Sequence, residues 1–342
     1  MVLKYLVLSI CLVEFAYSFR RDNDGKTPLL HACEYGHLDV VRILISVGVD
    51  IEEKDNNGYN ALLLATSNNR TDTVEFLLSK GADVEVTQKY GYSPLIYAAQ
   101  NGNLRLANLL LSRGANINKT DNDGTDALLW AANNNYLGVV EFLLSKGANL
   151  ESKDHNGKTL LMYTVQNDDL NKTTWLLSVG ADIEGKDKSG RTPLIIAAQL
   201  GRLQLVKLLL SRGANKEVKD DEGRNALLWA ACNGAKDVVE LFVSSKLDIN
   251  VADNQGQTCL MYAARNGQVE LIKFLLNNGA DIEVIDIYGR DAIMYASRNG
   301  RSEALEVLLF EGLNMTTTTA NPKYVTSSLA ESGSASLDVK SN

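Results

Sequence analysis

Catalysis needs a nucleophile, an acid or base, or a metal ligand at fixed spacing, and this sequence is poor in all of them. It has three histidines, His31, His37 and His155, and none lies near a cysteine at the spacing of a metal site. Close pairings of basic and acidic residues, such as Lys54-Asp55, fall in segments that read as turns. No glycine-rich phosphate loop follows a candidate strand, and no nucleophile elbow is present. The four cysteines, Cys11, Cys33, Cys232 and Cys259, are spread over distant positions and do not form a disulfide framework. These residues predict neither an enzyme nor a bound metal or cofactor. The side chains best suited to act on another molecule are aromatic, because Trp and Tyr are the usual anchors of protein interfaces.

Bulk properties narrow the partner. The chain of 342 residues is 45% hydrophobic and 22% charged, a globular composition. A formal charge of −8 and a pI near 5.1 disfavour a nucleic-acid backbone or a broad anionic membrane surface. The N-terminus allows two readings. Lys4, the apolar run from Tyr5 to Val13, and Ala16-Tyr17-Ser18 before Phe19 follow the order of a signal peptide, which would occupy residues 1–18. The run is too short for a transmembrane helix, which takes roughly 20 apolar residues. Alternatively the segment is a capping helix, since Val7, Leu8, Cys11 and Leu12 fall one period before Val40, Val41, Leu44 and Ile45. The first reading places the protein in the secretory pathway or outside the cell. The second leaves it cytoplasmic, and the odd number of cysteines remaining after Ser18 suits a reducing compartment.

Internal repetition decides the fold. Glycines recur every 33 residues from Gly25 through Gly58 and Gly91 to Gly289, nine in all, with no insertion or deletion. A second series runs from Gly48 to Gly312 at the same spacing, broken only by Lys246. Within a unit, an Asx-x-x-Gly segment such as Asp121-Asn122-Asp123-Gly124 makes a tight turn. Thr or Ser then caps a helix, with Pro28, Pro94 and Pro193 at its first position, where the missing N–H costs nothing. Leu194, Ala197 and Ala198 typify its buried stripe. A turn column of Gly, Asn or Asp follows (Gly36, Asn69, Gly102, Asn135, Asp168 and their successors), all residues that tolerate the left-handed conformation. A second helix with a Val-x-x-Leu-Leu stripe closes at Gly-Ala.

This unit resembles the ankyrin repeat, with its turn, two antiparallel helices and Thr-Pro-Leu-His signature. The resemblance implies an all-α solenoid of stacked helix-turn-helix units with β-hairpin-like turns, nine repeats over residues 19–315, and a Ser/Thr-rich tail without fixed structure over 316–342. One departure is systematic: the signature histidine is replaced by Leu30, Leu63, Ile96, Leu129, Met162, Ile195, Leu228, Met261 and Met294. Residues 93–165 also resemble 192–264, an offset of 99 that indicates duplication of a three-repeat block.

Repeat proteins of this kind bind protein partners along an inner face and the adjoining turns, and a monomeric, non-catalytic scaffold is expected. The column two residues beyond the signature leucine should point away from the buried stripe, about 200° round the helix. It holds His31, Leu64, Tyr97, Trp130, Tyr163, Ile196, Trp229, Tyr262 and Tyr295. Such a ladder would either pack neighbouring repeats or meet a partner. The hairpin tips add Tyr59, Tyr90 and Tyr92, and in the ninth repeat Ile287 and Tyr288. Tyr59, Tyr90, Tyr92, Tyr97 and Trp130 should form one contiguous patch. Were the leader real, Asn-x-Thr triplets at Asn69, Asn118, Asn171 and Asn314 would be candidate glycosylation sites. The alternative function is a cytosolic regulatory or adaptor subunit that masks or recruits an enzyme.

Overall fold

The computed structural model describes residues 21–318, with side chains to residue 310. The expectations for residues 1–18 and for the tail beyond 318 lie outside the described residues. Between Lys188 and Ser189 the chain divides into two compact units. The first holds α1 (Pro28–Tyr35), α2 (Leu38–Ser46), α3 (Ala61–Ser67), α4 (Thr71–Ser79), α5 (Pro94–Gln100), α6 (Leu104–Ser112), α7 (Ala127–Asn133), α8 (Leu137–Ser145), α9 (Leu160–Gln166) and α10 (Leu170–Ser178). The second holds α11 (Pro193–Gln199), α12 (Leu203–Ser211), α13 (Ala226–Asn233), α14 (Lys236–Ser244), α15 (Cys259–Asn266), α16 (Val269–Asn277), α17 (Ala292–Arg298) and α18 (Ser302–Thr318). The architecture is the expected all-α repeat fold. Among the described residues the hairpin-like turns carry isolated bridges only, Thr120 with Asp126, Lys153 with Thr159, and Ala252 with Thr258.

Each repeat is locally determined. Extended N-cap residues Thr27, Asn60, Ser93, Asp126 and Thr159 in the first unit, and Thr192, Asn225 and Asp291 in the second, accept a hydrogen bond from the backbone N–H three residues on. The capping column is therefore wider than Thr or Ser, as the shared geometry of short Asx and hydroxyl side chains allows. Thr258 is extended like the rest but makes no such bond. The inter-helix turn is left-handed at every position of its column, including Asn69, Asn135 and Asp168 at φ 64°, 68° and 57°. These side chains can bond locally and so tolerate a conformation that most L-residues avoid.

Burial follows the stripes. Within each unit the first helices stack on one another, and each packs on its own second helix. The residues replacing the signature histidine are buried from Leu30 through Met261, so an apolar contact takes the place of a polar one; Met294, in the ninth repeat, is half exposed. Fully burying one such side chain stabilises by about 1.5–3 kcal/mol before entropy is counted. An asparagine column at the end of the first helices ties repeats together. Asn101, Asn134 and Asn167 donate to the carbonyls of Ser67, Gln100 and Asn133 at 3.0, 3.0 and 3.1 Å, and Asn233 and Asn266 do the same to Gln199 and Cys232 at 2.8 and 2.6 Å.

One end differs from expectation. The other second helices stop before the Gly-Ala column, but α18 continues through Gly312 to Thr318. The sequence there is Gly-Leu-Asn rather than Gly-Ala, and the Asx-x-x-Gly turn pattern does not recur 33 residues after Asp286 and Gly289. The helix thus passes the expected boundary at 315, and Asn314 lies within it.

Candidate protein-binding surface

The polar half of each repeat is organised by one aspartate. It opens the turn at Asp22, Asp55, Asp121, Asp154, Asp187, Asp220, Asp253 and Asp286, with Gln88 as the exception. Its Oδ1 accepts the backbone N–H groups two and four residues on, as Asp220 does from Glu222 and Arg224 at 3.0 and 2.8 Å. That bond pair closes the turn. The hairpin glycine has a second constraint besides its positive φ. At Gly223 (φ 78°) an added Cβ would lie 2.7 Å from the Asn254 backbone nitrogen, because the following hairpin docks there. The Asn254 N–H donates to the Glu222 carbonyl at 3.0 Å, and the same link recurs at 33-residue steps within each unit.

The aspartate's other oxygen takes the polar tip of the aromatic column nine residues later. Trp130 and Trp229 donate through Nε1 to Asp121 and Asp220 at 2.7 and 2.8 Å. Tyr163, Tyr262 and Tyr295 donate through their hydroxyls to Asp154, Asp253 and Asp286 at 2.9, 2.6 and 2.8 Å. His31 Nε2 reaches Asp22 at 2.9 Å in the same way. The column therefore does not point outward as the helical angle alone implied. Tyr97, Tyr262 and Tyr295 are no more than 7% exposed, and Trp130, Tyr163 and Trp229 are half-buried. A helical angle describes a helix in isolation, and here the hairpin preceding the helix folds back over that face. Packing between turn and helix is the first role of these aromatics.

A cation or a second ring covers several of them. Arg224 lies 3.8 Å above Trp229, and Arg290 lies 5.0 Å from Tyr295 and 4.4 Å from Tyr288. Lys158 lies 5.8 Å from Tyr163. The position that supplies these cations carries Tyr59 and Tyr92 in the second and third repeats. There the rings meet one another instead. Tyr92 stacks on Tyr97 and reaches Trp130, both at 5.4 Å, while Tyr59 lies 6.1 Å from Tyr97 with its hydroxyl 2.6 Å from the Tyr97 hydroxyl. Tyr59, Tyr92, Tyr97 and Trp130 are brought together as the sequence implied. Tyr90 stands apart at the hairpin tip, 61% exposed, its carbonyl accepting the Asn122 N–H at 3.0 Å. In the ninth repeat Ile285, Ile287 and Tyr288 make an apolar hairpin, with Tyr288 67% exposed.

Burial pushes the phenols of Tyr97, Tyr163 and Tyr262 well above the usual tyrosine range, and hydrogen bonds to Tyr59, Asp154 and Asp253 add to it. Burial and the Asp286 carboxylate raise Tyr295 to about 12. Desolvation opposes the charge of Asp286, but hydrogen bonds from the Arg290 side chain and backbone, then from Tyr295 and the Tyr288 N–H, hold its pKa down to about 2. Burial raises the Cys33 thiol to about 12 and raises Cys232 and Cys259, which suppresses the thiolate that reactivity requires. Among the described residues no group of three or more His, Cys, Asp or Glu could hold a metal. No described helix is long and apolar enough to cross a membrane. Of the glycosylation candidates, Asn69, Asn118 and Asn171 are all exposed, and Asn69 also sits in the left-handed turn and accepts from Asn103.

Comparison with protein families fits this geometry. The model described as ankyrin repeats in three copies matches residues 2–88, 80–154, 128–220, 161–253, 203–286 and 227–319. The chain belongs to the ankyrin-repeat family. Repeats of this family are generally protein–protein interaction modules. Comparison with curated proteins gives no match.

Proposed function

We propose that the protein is a non-catalytic scaffold that binds a protein partner through the tyrosine-rich hairpin side of its second to fourth repeats. The observation carrying this reading is the ring cluster of Tyr59, Tyr92, Tyr97 and Trp130, together with Tyr90 projecting from the Tyr92 hairpin. Large rings held by a rigid fold present contact area at little entropic cost. Three of them, Tyr59, Tyr92 and Trp130, are half-buried and so remain partly open to a partner. The net charge of −8 favours a partner surface with basic rather than acidic character.

Tyr90 separates binding from folding better than its neighbours, since its side chain makes none of the ring contacts that hold the cluster. Replacing Tyr90 with Ala should weaken the partner by more than about 1 kcal/mol, the threshold for a meaningful interface residue. The melting temperature should stay where it is. The assay is quantitative capture of the partner from extract of the native cell, followed by titration calorimetry on the purified pair. Unchanged affinity would remove this surface from the proposal. Tyr92→Ala is a poorer probe, because it also breaks the stacking on Tyr97 and Trp130.

A cytosolic regulatory subunit that covers or recruits an enzyme would use the same surface.

A further inference from the structure

The first repeat carries an apolar face that its fold leaves uncovered. Val40 in α2 is 45% exposed, whereas the residues at the same column of the other eight repeats, from Thr73 to Ala304, are at most 8% exposed. Leu44, one turn further on, is only partly covered, while its counterparts from Leu77 to Leu308 are buried. Ile43 and Val47 continue the exposed strip. Second helices of neighbouring repeats meet elsewhere, α2 with α4, α4 with α6 and α6 with α8 in the first unit, and α12 with α14 and α16 with α18 in the second. Arg42, for example, lies 4.5 Å above the Phe76 ring of α4. The face on α2 therefore has the shape and polarity of a repeat-to-repeat contact with its donor helix missing.

We infer that residues 5–13 are that donor: the second helix of a leading half-repeat, laid across the outward face of α2. Three observations fix the occupant. Stepping back 33 residues from Val40, Val41, Ile43, Leu44 and Ile45 lands on Val7, Leu8, Ile10, Cys11 and Leu12, so the apolar stripe is reproduced in register. The connection needs no adjustment, because residue 13 stands as far before Arg21 as Ser46 stands before Lys54. The ankyrin-repeat match starts at residue 2, not at the first hairpin. The hydrophobic driving force acts on both surfaces, since an apolar segment and an apolar face each leave water on contact. This inference concerns the array's N-terminal end and stands apart from the tyrosine surface proposed for binding.

The test uses the full chain, purified from the cells that make it. Intact mass should show Met1 or Val2 at the N-terminus, and a chain beginning at Phe19 overturns the inference. In hydrogen exchange read by mass spectrometry, the peptide covering residues 5–13 should be slowed on the order of tenfold or more against its free-chain rate. Val40→Asp on the face, and separately Ile10→Asp on the segment, should each return that peptide to the free-chain rate. Helices α11–α17 should keep their protection in both variants, and Val40→Ile should keep the segment protected. Fast exchange in the unmodified chain, or protection indifferent to both charges, overturns the inference. Protection that appears only as protein concentration rises assigns the face to a second copy and overturns it equally.

Discussion

If the aromatic column exists first to close each repeat, removing one hydroxyl should cost stability with no partner present. Tyr262 offers the sharpest case. Its ring is buried, and its hydroxyl donates to Asp253 Oδ2 at 2.6 Å. The same carboxylate accepts the Gln255 and Gln257 N–H groups at 2.9 and 2.8 Å through Oδ1. Tyr262→Phe keeps the ring packing and opens no large cavity, so the change isolates one hydrogen bond to a carboxylate. Such a bond contributes about 1.5–3 kcal/mol net, more than a neutral pair, because the carboxylate left behind stays desolvated. That corresponds to roughly a ten- to hundredfold rise in the local opening equilibrium. Native-state hydrogen exchange of the amides in α15 and its hairpin is the suitable assay, since repeat arrays do not unfold as one cooperative block. Tyr288→Phe supplies the control: that ring is mostly exposed, and its loss of a hydroxyl should stay within about 0.5 kcal/mol. The cycle with Asp253→Asn should show coupling of at least about 0.5 kcal/mol between the two groups. Equal, near-zero effects of Tyr262→Phe and Tyr288→Phe would refute the closing role and return the column to the partner.

Three further perturbations probe the backbone and charge arguments. Gly223 and Gly289 share nearly the same φ, 78° and 73°, but only Gly223 has the next hairpin within contact of an added Cβ. Gly223→Ala should therefore cost about 1–3 kcal/mol more than Gly289→Ala in urea unfolding, and equal costs would disprove the docking constraint. Lys246 stands at φ 59° in a column where the glycines from Gly48 to Gly279 adopt 89° to 96°, so it has relaxed to the left-handed minimum open to L-residues. Lys246→Gly should still raise stability, by about 0.5–1 kcal/mol once the looser unfolded chain is subtracted, and a lower melting temperature would contradict this. Asp286 has its folded pKa lowered from 3.8 to about 2, so its contribution is fully present above about pH 4 and disappears as pH falls towards 2. Asp286→Asn should flatten that acid limb in a pH series of melting curves, and an unchanged slope would mean another carboxylate governs it.

The repeat frame was legible because its signals are local. Gly36, Asn69 and Asp168 look different as side chains, yet all permit one backbone conformation, and the structure places all three in it. Capping was legible in part: Thr27 and Ser93 were evident, while Asn60, Asp126, Asn225 and Asp291 fill the same role by the same short acceptor geometry. The direction of the aromatic column is not legible from one helix alone, because the turn aspartate that receives it comes from nine residues upstream. The signal was present as a fixed spacing between Asp and Trp or Tyr, repeated at Asp121 and Trp130, Asp154 and Tyr163, Asp220 and Trp229, and Asp253 and Tyr262. The asparagine ties were equally periodic, but their acceptors are carbonyls of the preceding repeat, and carbonyls leave no mark in a sequence.

These contacts also explain why the two ends of the array behave differently from its middle. An inner hairpin glycine is pressed by the next hairpin, and Gly289, in the last hairpin, has nothing within 4 Å of an added Cβ. Ile285, Ile287 and Tyr288 replace residues that are mostly polar or small in the earlier hairpins, and they remain exposed. At the other end Tyr35 takes the column where most later repeats reach back with asparagine, and it has no preceding described helix to reach. A solenoid repeat is stabilised by its neighbours, so a terminal repeat must either become polar or be covered. The first repeat did not become polar: Val40, Ile43 and Val47 keep the stripe of an inner unit. Selection for a free end would place charges at those positions, as Lys172 shows that even an inner one admits a lysine. An apolar stripe retained there is what a covered face requires, and the in-register run from Val7 to Leu12 is the cover we infer for it.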